Sequence, residues 1–556
     1  MTRRRSIIGP LTANPRRLKA GTGNTSFAGS PAAPVWLIVL LGVLFVIFLS
    51  SPVGSQSVGQ EFIPPENWAY RALDRFEVLG LVVLPAEKPF LRDEIVRFVN
   101  QIKRGVDSTG VALDVRDQFN LDRLEKEFSN TESMENPKER WDRPVFFFTE
   151  DQFSLEGDID VGILPGKPAF DSRWWVFGIS NLSGKLNFGK WVTYDFRYRL
   201  VYGPERDDRE HKKKPTPRTR SWNGLTSLYE RSYVVFRWRR LALFWGRDYA
   251  DYGPTDRGNL ILSTTAQSLD KLGGRLGFKK LRFSFLHANL YFDPQRTFSA
   301  HRLEFDLRRF TFGLAETALY TGRGIDPIYT LPLSSFYANQ FNERKDDNLL
   351  WSIDMKYRML TGVMLYGSLL IDDFQFERDG TNPDKLGFDV GGRFALRAPL
   401  PVTMRFNYRY VDIYTYTHRD SLKYHVTGRG DPIGNETIPA DPPLGALLGP
   451  DGDIVRFDAD LFPRPEVTTS LRLAYRRRGE GNDWRRFEEG VDDPSPPFPS
   501  GVVEQTFRVE IGVKWELDGN SVAGFDAGWA WVQNQYNEPG VNRDDPLVRL
   551  FASWDF

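Results

Sequence analysis

The chain has 556 residues, of which 14% are aromatic, and its mean hydropathy is −0.42. This average excludes a protein of many membrane helices, because each helix needs about 20 consecutive apolar residues. The 73 basic and 73 acidic residues cancel, which excludes a strongly basic nucleic-acid-binding protein, and the absence of cysteine excludes disulfides and thiolate sites.

The segment 1–57 has the features of an export signal. The arginines at positions 3–5 precede an apolar run at 35–49, and no Asp or Glu occurs before Glu61. The run has the length of a long signal core, and Ser55 or Ser57 is a small residue suited to cleavage. An uncleaved membrane anchor is the alternative. We expect the rest of the chain to lie outside the cytoplasm.

The segment 58–143 has helical periodicity and predicts a small periplasmic α-helical module. Ala69, Leu73 and Phe76 fall on one face of a first helix. The motif Trp68-Ala69-Tyr70 gives the segment a resemblance to a single S-layer-homology-like module.

After this module the hydrophobic period changes from 3.6 to 2, which is typical of strands with one apolar and one polar face. In segment 503–517, for example, Phe507 and Ile511 alternate with Arg508 and Glu510. A soluble β-sandwich would bury such a charged face without partners. The alternation therefore predicts a membrane barrel with an apolar exterior and a hydrated lumen.

Segment 144–556 contains 18 such strands, which predicts an all-β fold, an 18-stranded antiparallel outer-membrane β-barrel. The predicted strands begin near residues 148, 174, 191, 225, 241, 269, 281, 300, 310, 348, 362, 385, 402, 452, 467, 503, 521 and 547. Short links alternate with long ones, as expected for periplasmic turns and external loops. Side chains alone cannot fill a lumen of this width, so either loops fold inward or the protein is an open pore.

The last strand alternates apolar residues and ends on Phe556. It resembles the signal by which outer-membrane proteins are recognised by the barrel assembly machinery, which we expect to be a partner during insertion.

No catalytic motif is apparent in the sequence. None of the histidines has a metal-ligand spacing, and no Gly-x-Ser-x-Gly elbow occurs. The histidines are His211, His287, His301, His418 and His425. We therefore predict a protein that is not an enzyme and that uses no metal or cofactor, with an outer-membrane hydrolase as an alternative.

The stretch 243–375 carries a series of polar and glycine-containing motifs. They are Gly246-Arg247-Asp248-Tyr249, Tyr252-Gly253-Pro254, Gly258-Asn259-Leu260-Ile261-Leu262-Ser263, His301-Arg302-Leu303-Glu304, Gly322-Arg323-Gly324, Phe336-Tyr337-Ala338-Asn339-Gln340-Phe341-Asn342, Asp347-Asn348-Leu349-Leu350 and Leu370-Ile371-Asp372-Asp373. In this order they resemble the capsule assembly Wzi family. The resemblance implies an outer-membrane barrel whose lumen is occluded by inward loops, acting as a surface lectin that attaches capsular polysaccharide to the cell.

A sugar-binding site needs planar polar groups for the hydroxyls and aromatic faces for the apolar side of the ring. Loops 248–268 and 322–347 supply these groups. The predicted carbohydrate-binding residues are Arg247, Asp248, Tyr249, Tyr252, Asn259, Arg323, Tyr337, Asn339, Gln340 and Asn342. The alternative is that these residues brace a structural plug through hydrogen bonds and ion pairs. Asp372 and Asp373 are expected to join the wall to that plug.

We therefore predict a protein of the cell outer membrane that binds surface polysaccharide and helps to assemble or retain a capsule. An outer-membrane porin or sugar transporter, with loops that narrow the channel without closing it, is the main alternative. The expected partners are capsular or exopolysaccharide and outer-membrane lipid with its lipopolysaccharide. The basic run 211–220 either faces these anionic polymers or is a solvated loop.

Overall fold

The computed structural model describes residues 60–129, 145–150, 153–167, 175–202, 225–256, 258–292, 295–331, 333–374, 382–397, 399–418, 422–426, 443–483, 485–518 and 521–555. All of them belong to one compact unit, Ser55–Phe556. The predicted export signal and the basic run 211–220 lie outside the described residues. Among the described residues, no helix combines the length and apolar character that a membrane crossing requires.

Residues 60–129 form a small helical unit, which we call the module. Its helices are α1 (Ala69–Val78), α2 (Arg92–Thr109) and α3 (Val115–Leu124), and α3 continues into a π-helical turn, Glu125–Ser129. Gly110 ends α2 in the left-handed conformation, and Asp114 caps α3 by accepting a hydrogen bond from the backbone N–H of Asp117 at 2.8 Å. Phe76 and Val99 are buried in the core between the helices.

Eighteen antiparallel strands close into a barrel, which confirms the predicted fold class. They are β1 (Phe153–Lys167), β2 (Trp175–Phe188), β3 (Val192–Tyr202), β4 (Leu225–Trp238), β5 (Leu241–Asp248), β6 (Leu269–Gly277), β7 (Leu281–Phe292), β8 (Gln295–Leu307), β9 (Phe310–Thr321), β10 (Asn348–Leu360), β11 (Val363–Asp373), β12 (Lys385–Leu396), β13 (Val402–Val411), β14 (Gly452–Arg464), β15 (Val467–Arg478), β16 (Glu504–Asp518), β17 (Ser521–Gln533) and β18 (Arg543–Asp555). Strand β18 pairs with β1 and closes the wall. A short extra strand, Phe146–Glu150, pairs with the first residues of β1.

The two faces of the wall follow the predicted alternation. On β16, Phe507, Ile511 and Trp515 point outward and are 43%, 53% and 55% exposed, with no second protein layer over them in the described structure. Glu516 points into the lumen, where its carboxylate lies 3.0 Å from the guanidinium of Arg123 on α3. An apolar exterior around a charged interior is the arrangement that a bilayer requires. The protein is therefore an outer-membrane β-barrel.

The two ends of the barrel differ in the length of their connections. The short links are 189–191, 239–240, 278–280, 308–309, 361–362 and 465–466, at what we call the turn end. The opposite loop end carries the connections 249–268, 322–347, 412–451 and 479–503. In outer-membrane barrels the short turns face the periplasm and the long loops face outward.

Candidate functional site: a plugged lumen with a charged wall

The module closes the turn end of the lumen. Each of its three helices forms ion pairs with lumen-facing residues on a different part of the wall. These pairs join Glu77 of α1 to Lys356 and Arg358, Glu94 of α2 to Arg282, and Arg123 of α3 to Glu516, at N···O distances between 2.8 and 3.1 Å. Since β7 and β16 lie on opposite sides of the barrel, with β10 between them, the module spans the opening.

Loop 249–268 descends from the loop end and meets the module. Its short strand Asp251–Tyr252 pairs with the module strand Glu87–Lys88. The amide of Asn259 donates to the Asp251 carboxylate at 2.8 Å, and both side chains are buried. Burial raises the pKa of Asp251 to about 6. Asp256, farther along the loop, forms an ion pair with Arg393 of the wall.

The described residues of loop 412–451 pack on loop 249–268 within the lumen, and we call the two the plug loops. Tyr416 donates its hydroxyl hydrogen to the carbonyl oxygen of Leu260, and Tyr424 donates to that of Ile261, both at 2.6 Å. The backbone N–H of Tyr416 donates to the carboxylate of Asp372 on β11 at 2.5 Å. The expectation that Asp372 joins wall and plug is confirmed.

A continuous apolar core lies between the plug loops and the strands from β4 to β14. It includes Leu260, Ile261, Leu262 and Leu444 of the loops and Tyr233, Leu286, Phe298, Leu350, Leu370 and Ile454 of the wall. The alternation had predicted a hydrated lumen, whereas one side of the observed lumen is dry. On that side, inward-facing apolar residues of the wall pack against loops that fold inward.

Loop 322–347, in contrast, lies on the outer surface of the barrel. On β9, Thr317 faces the lumen, where its hydroxyl lies 3.1 Å from that of Tyr424. Its neighbour Glu316 therefore points outward, since side chains alternate along a strand. The Glu316 carboxylate accepts hydrogen bonds from the backbone N–H groups of Phe336 and Tyr337, both at 2.8 Å. These residues begin helix α4 (Phe336–Glu343), so Glu316 attaches the loop to the outer face.

The wall thus divides the ten predicted carbohydrate-binding residues into two groups. On the lumen side are Asp248, Tyr249, Tyr252 and Asn259, and on the outer face or in the loop that covers it are Arg247, Arg323, Tyr337, Asn339, Gln340 and Asn342. Asp248, Tyr252 and Asn259 are at most 2% exposed. A sugar could touch these three only if the plug loop left the lumen.

Most of the predicted residues have partners within the protein. These hydrogen bonds join Asp248 to Arg231 at 2.8 Å, Tyr249 to Glu230 at 2.8 Å, Arg247 to Asp270 at 2.7 Å, Arg323 to Asp326 at 2.6 Å, and Asn339 to Ser334 at 2.9 Å. Such contacts are those expected if the residues brace the structure.

On the other side of the lumen, β15 to β18 present charged residues. The sequence placed Arg508 and Glu510 on the polar face of their strand, but no binding role was predicted for them. The Asp526 carboxylate accepts hydrogen bonds from Arg549 at 2.9 Å and from Arg472 at 3.3 Å, while Arg508 forms an ion pair with Glu510. We call these five residues the charged wall. The side chains of Arg508 and Arg549 are 43% and 49% exposed. Guanidinium groups with this exposure can bind carboxylates and sugar hydroxyls.

In the part of the chain that the structure describes, the histidines do not belong to a group of three or more side chains placed to hold a metal ion. His287 and His301 lie on the outward face of the wall, bonded to Ser299 and Glu316. His425 lies beside Asp483 in the loop region.

Comparisons with known proteins support the fold. No family model matches the chain, and no curated protein matches it. Among solved structures, the chain is similar to Wzi of Escherichia coli, described as an outer membrane protein involved in group 1 capsule assembly and a carbohydrate-binding β-barrel. The TM-score is 0.56 at 13% identity, over 90% of this chain and 100% of that one. The chain is also similar to OprD of Pseudomonas aeruginosa and to OccAB1 of Acinetobacter baumannii, each with a TM-score of 0.42 and 10% identity. Each match spans 75% of this chain, and it spans 97% of the OprD chain and 99% of the OccAB1 chain. The resemblance expected from the motifs is confirmed at the level of fold, which this chain shares with Wzi.

Proposed function

We propose that this protein binds surface polysaccharide at the outer membrane and helps to assemble or retain a capsule, without catalysing a reaction. The observation that carries the proposal is the plugged lumen. A porin or sugar transporter needs a continuous aqueous path, whereas here the module and the plug loops occupy the lumen from its turn end toward its loop end. The fold shared with a carbohydrate-binding β-barrel of capsule assembly adds support.

The proposed contact surface is the charged wall. Arg508 and Arg549 are its most exposed members, and guanidinium groups favour a polysaccharide that carries carboxylates. Asp526 and Glu510 offer acceptors for sugar hydroxyls. Of the predicted residues on the outer face, Arg247 retains a side chain that is 29% exposed, and we propose it as a secondary contact.

A retention assay tests both the function and the surface. The purified full chain is immobilised in detergent and offered purified acidic or neutral capsular polysaccharides. We expect the wild type to retain an acidic polymer and the double variant Arg508→Gln, Arg549→Gln to lose most of that retention. Arg97→Gln, a change on an exposed residue of the module, is the matched control. Equal retention by both variants would reject the charged wall, and no retention of any polymer by the wild type would reject the function.

Conductance separates this proposal from the porin alternative. We expect the wild-type protein to give no steady openings in a planar lipid bilayer, because the lumen is filled at its turn end and along the strands from β4 to β14. Steady, ion-permeable openings would favour the porin or transporter.

A further inference from the structure

Loop 322–347, on the outer face of the barrel, exposes five large apolar side chains. Between 38% and 82% of each is exposed, and the residues are Ile325, Leu331, Leu333, Tyr337 and Phe341. Soluble proteins rarely present apolar side chains so close together to water, and such patches mark interaction surfaces.

The position of this loop on the barrel is fixed. Phe336 is 1% exposed and its ring packs on that of His301, with the centroids 4.2 Å apart. Glu316 accepts hydrogen bonds from the start of α4 and also from the indole N–H of Trp351 at 2.8 Å. One side of α4 is thus bound to the wall, while Tyr337 and Phe341, one helical turn apart, lie on a side that is exposed.

The exposed side of the loop continues the surface that the barrel presents to lipid. The ring of Tyr337 lies against that of Trp351 on the outward face of β10, with the centroids 5.4 Å apart. Below Trp351 on the same face come Ile353 and Met355, which are 39% and 43% exposed. Outward residues in the middle of a strand of a membrane barrel contact acyl chains, and the Tyr337–Trp351 contact joins this apolar surface to α4.

Charged residues border this apolar surface. Arg344 ends α4 in a left-handed conformation and is exposed. Lys345 and Arg323 both bind the Asp326 carboxylate, at 2.8 and 2.6 Å. An apolar side next to basic residues is the pattern of segments that lie in the interfacial layer of a membrane.

We propose that loop 322–347 is a lipid anchor, which inserts Leu331, Leu333 and Phe341 among the acyl chains of the outer leaflet. The anchor fixes the height of the loop end relative to the bilayer. The anchor is separate from the charged wall, because the loop lies on the outer face of the barrel and the charged wall faces the lumen.

Spin labelling tests the anchor, since the chain has no cysteine and single cysteines can be introduced without background. The full chain is reconstituted in vesicles of phosphatidylethanolamine and phosphatidylglycerol, with one nitroxide at Leu333→Cys or Phe341→Cys. Reference labels are placed at Ile511→Cys on the lipid-facing wall and at Val491→Cys, a position 74% exposed in loop 479–503. Heat-dependent gel mobility checks that each variant is folded.

We expect the labels at 333 and 341 to relax faster with oxygen, which partitions into acyl chains, than with a water-soluble nickel chelate, as at 511. Relaxation dominated by the nickel chelate, as at 491, would overturn the anchor. Dipolar broadening between labels at 341, abolished by dilution with unlabelled protein, would assign the surface to a second copy of the chain and would overturn it as well.

Discussion

Replacing Glu77 with alanine should loosen the module from the barrel. The Glu77 side chain is fully buried and its carboxylate accepts hydrogen bonds from Lys356 at 2.8 Å and from Arg358 at 2.9 Å. The substitution leaves two cations in the lumen without this carboxylate, while Lys356 is only 2% exposed. Removal of one partner from a buried ion pair costs about 3–5 kcal/mol. Because each 1.36 kcal/mol changes an equilibrium constant tenfold, the equilibrium constant for local opening of the module should rise by about a hundredfold or more.

Hydrogen exchange measures this opening directly. Backbone amides of α1, α2 and α3 are followed by mass spectrometry in the detergent-solubilised full chain, and the strand amides report whether the barrel itself stays closed. Glu125→Ala is the control, because Glu125 pairs with Lys103 on an exposed surface, where ion pairs contribute little, and it should change exchange by no more than a few-fold. If the two variants exchange alike, the ion pair with the wall does not hold the module in place.

Three further changes test the plug and the wall. Burial raises the pKa of Asp251 from 3.8 to about 6, so the folded loop binds a proton at this carboxylate more tightly than the unfolded loop. The contribution of Asp251 to the stability of the plug should therefore be greatest below pH 3.8 and fall as the pH rises to about 6. Asp251→Asn should flatten this dependence, as measured by proteolysis of loop 249–268 at each pH. A Cβ at Gly445 would lie 2.0 Å from the carbonyl oxygen of Leu260. Gly445→Ala should therefore push the two plug loops apart and raise the hydrogen exchange of their backbone amides. Unchanged exchange would show that the loops do not pack this closely. Ile511→Arg places a charge on the lipid face and should cost about 2–4 kcal/mol, visible as a lower unfolding temperature in heat-dependent gel mobility; an unchanged temperature would mean that this position does not face lipid.

The strands were predictable because their signal is local. Alternation of Phe507, Ile511 and Trp515 with charged residues requires no knowledge of the rest of the chain, and it fixes both the strand and the face that meets lipid. Predicted and observed strand starts agree closely, apart from β1, β8 and β18, which begin at residues 153, 295 and 543. Strands β8 and β18 begin before their apolar stretch, with polar and charged residues that give no alternating pattern.

The dry half of the lumen was less predictable. Phe298 and Leu350 face inward among apolar neighbours, and alternation alone does not tell whether such residues meet water or a loop. The side of the wall taken by loop 322–347 was not predicted, because the alternation of short and long loops gives the end of the barrel but not the side of the wall. A carboxylate in the outward-facing row that includes Phe312 and Leu314 is the signal that could have revealed it.

The division of the lumen also bears on where ligand specificity resides. Several motif residues that resemble the Wzi family hold the plug loops and the module in place. The carbonyl of Leu260 accepts from Tyr416, the carboxylate of Glu304 accepts from the backbone N–H of Ala86 in the module, and Asp372 accepts from the loop backbone. The charged wall lies outside the stretch 243–375 that carries these motifs. The plug and the charged wall therefore constrain the sequence in different ways. Apolar packing and buried ion pairs restrict which residues the plug can accept, whereas the exposed guanidinium groups of the wall are not restricted by packing. Changes among the wall arginines should accordingly alter which polysaccharide is retained while the plug stays closed.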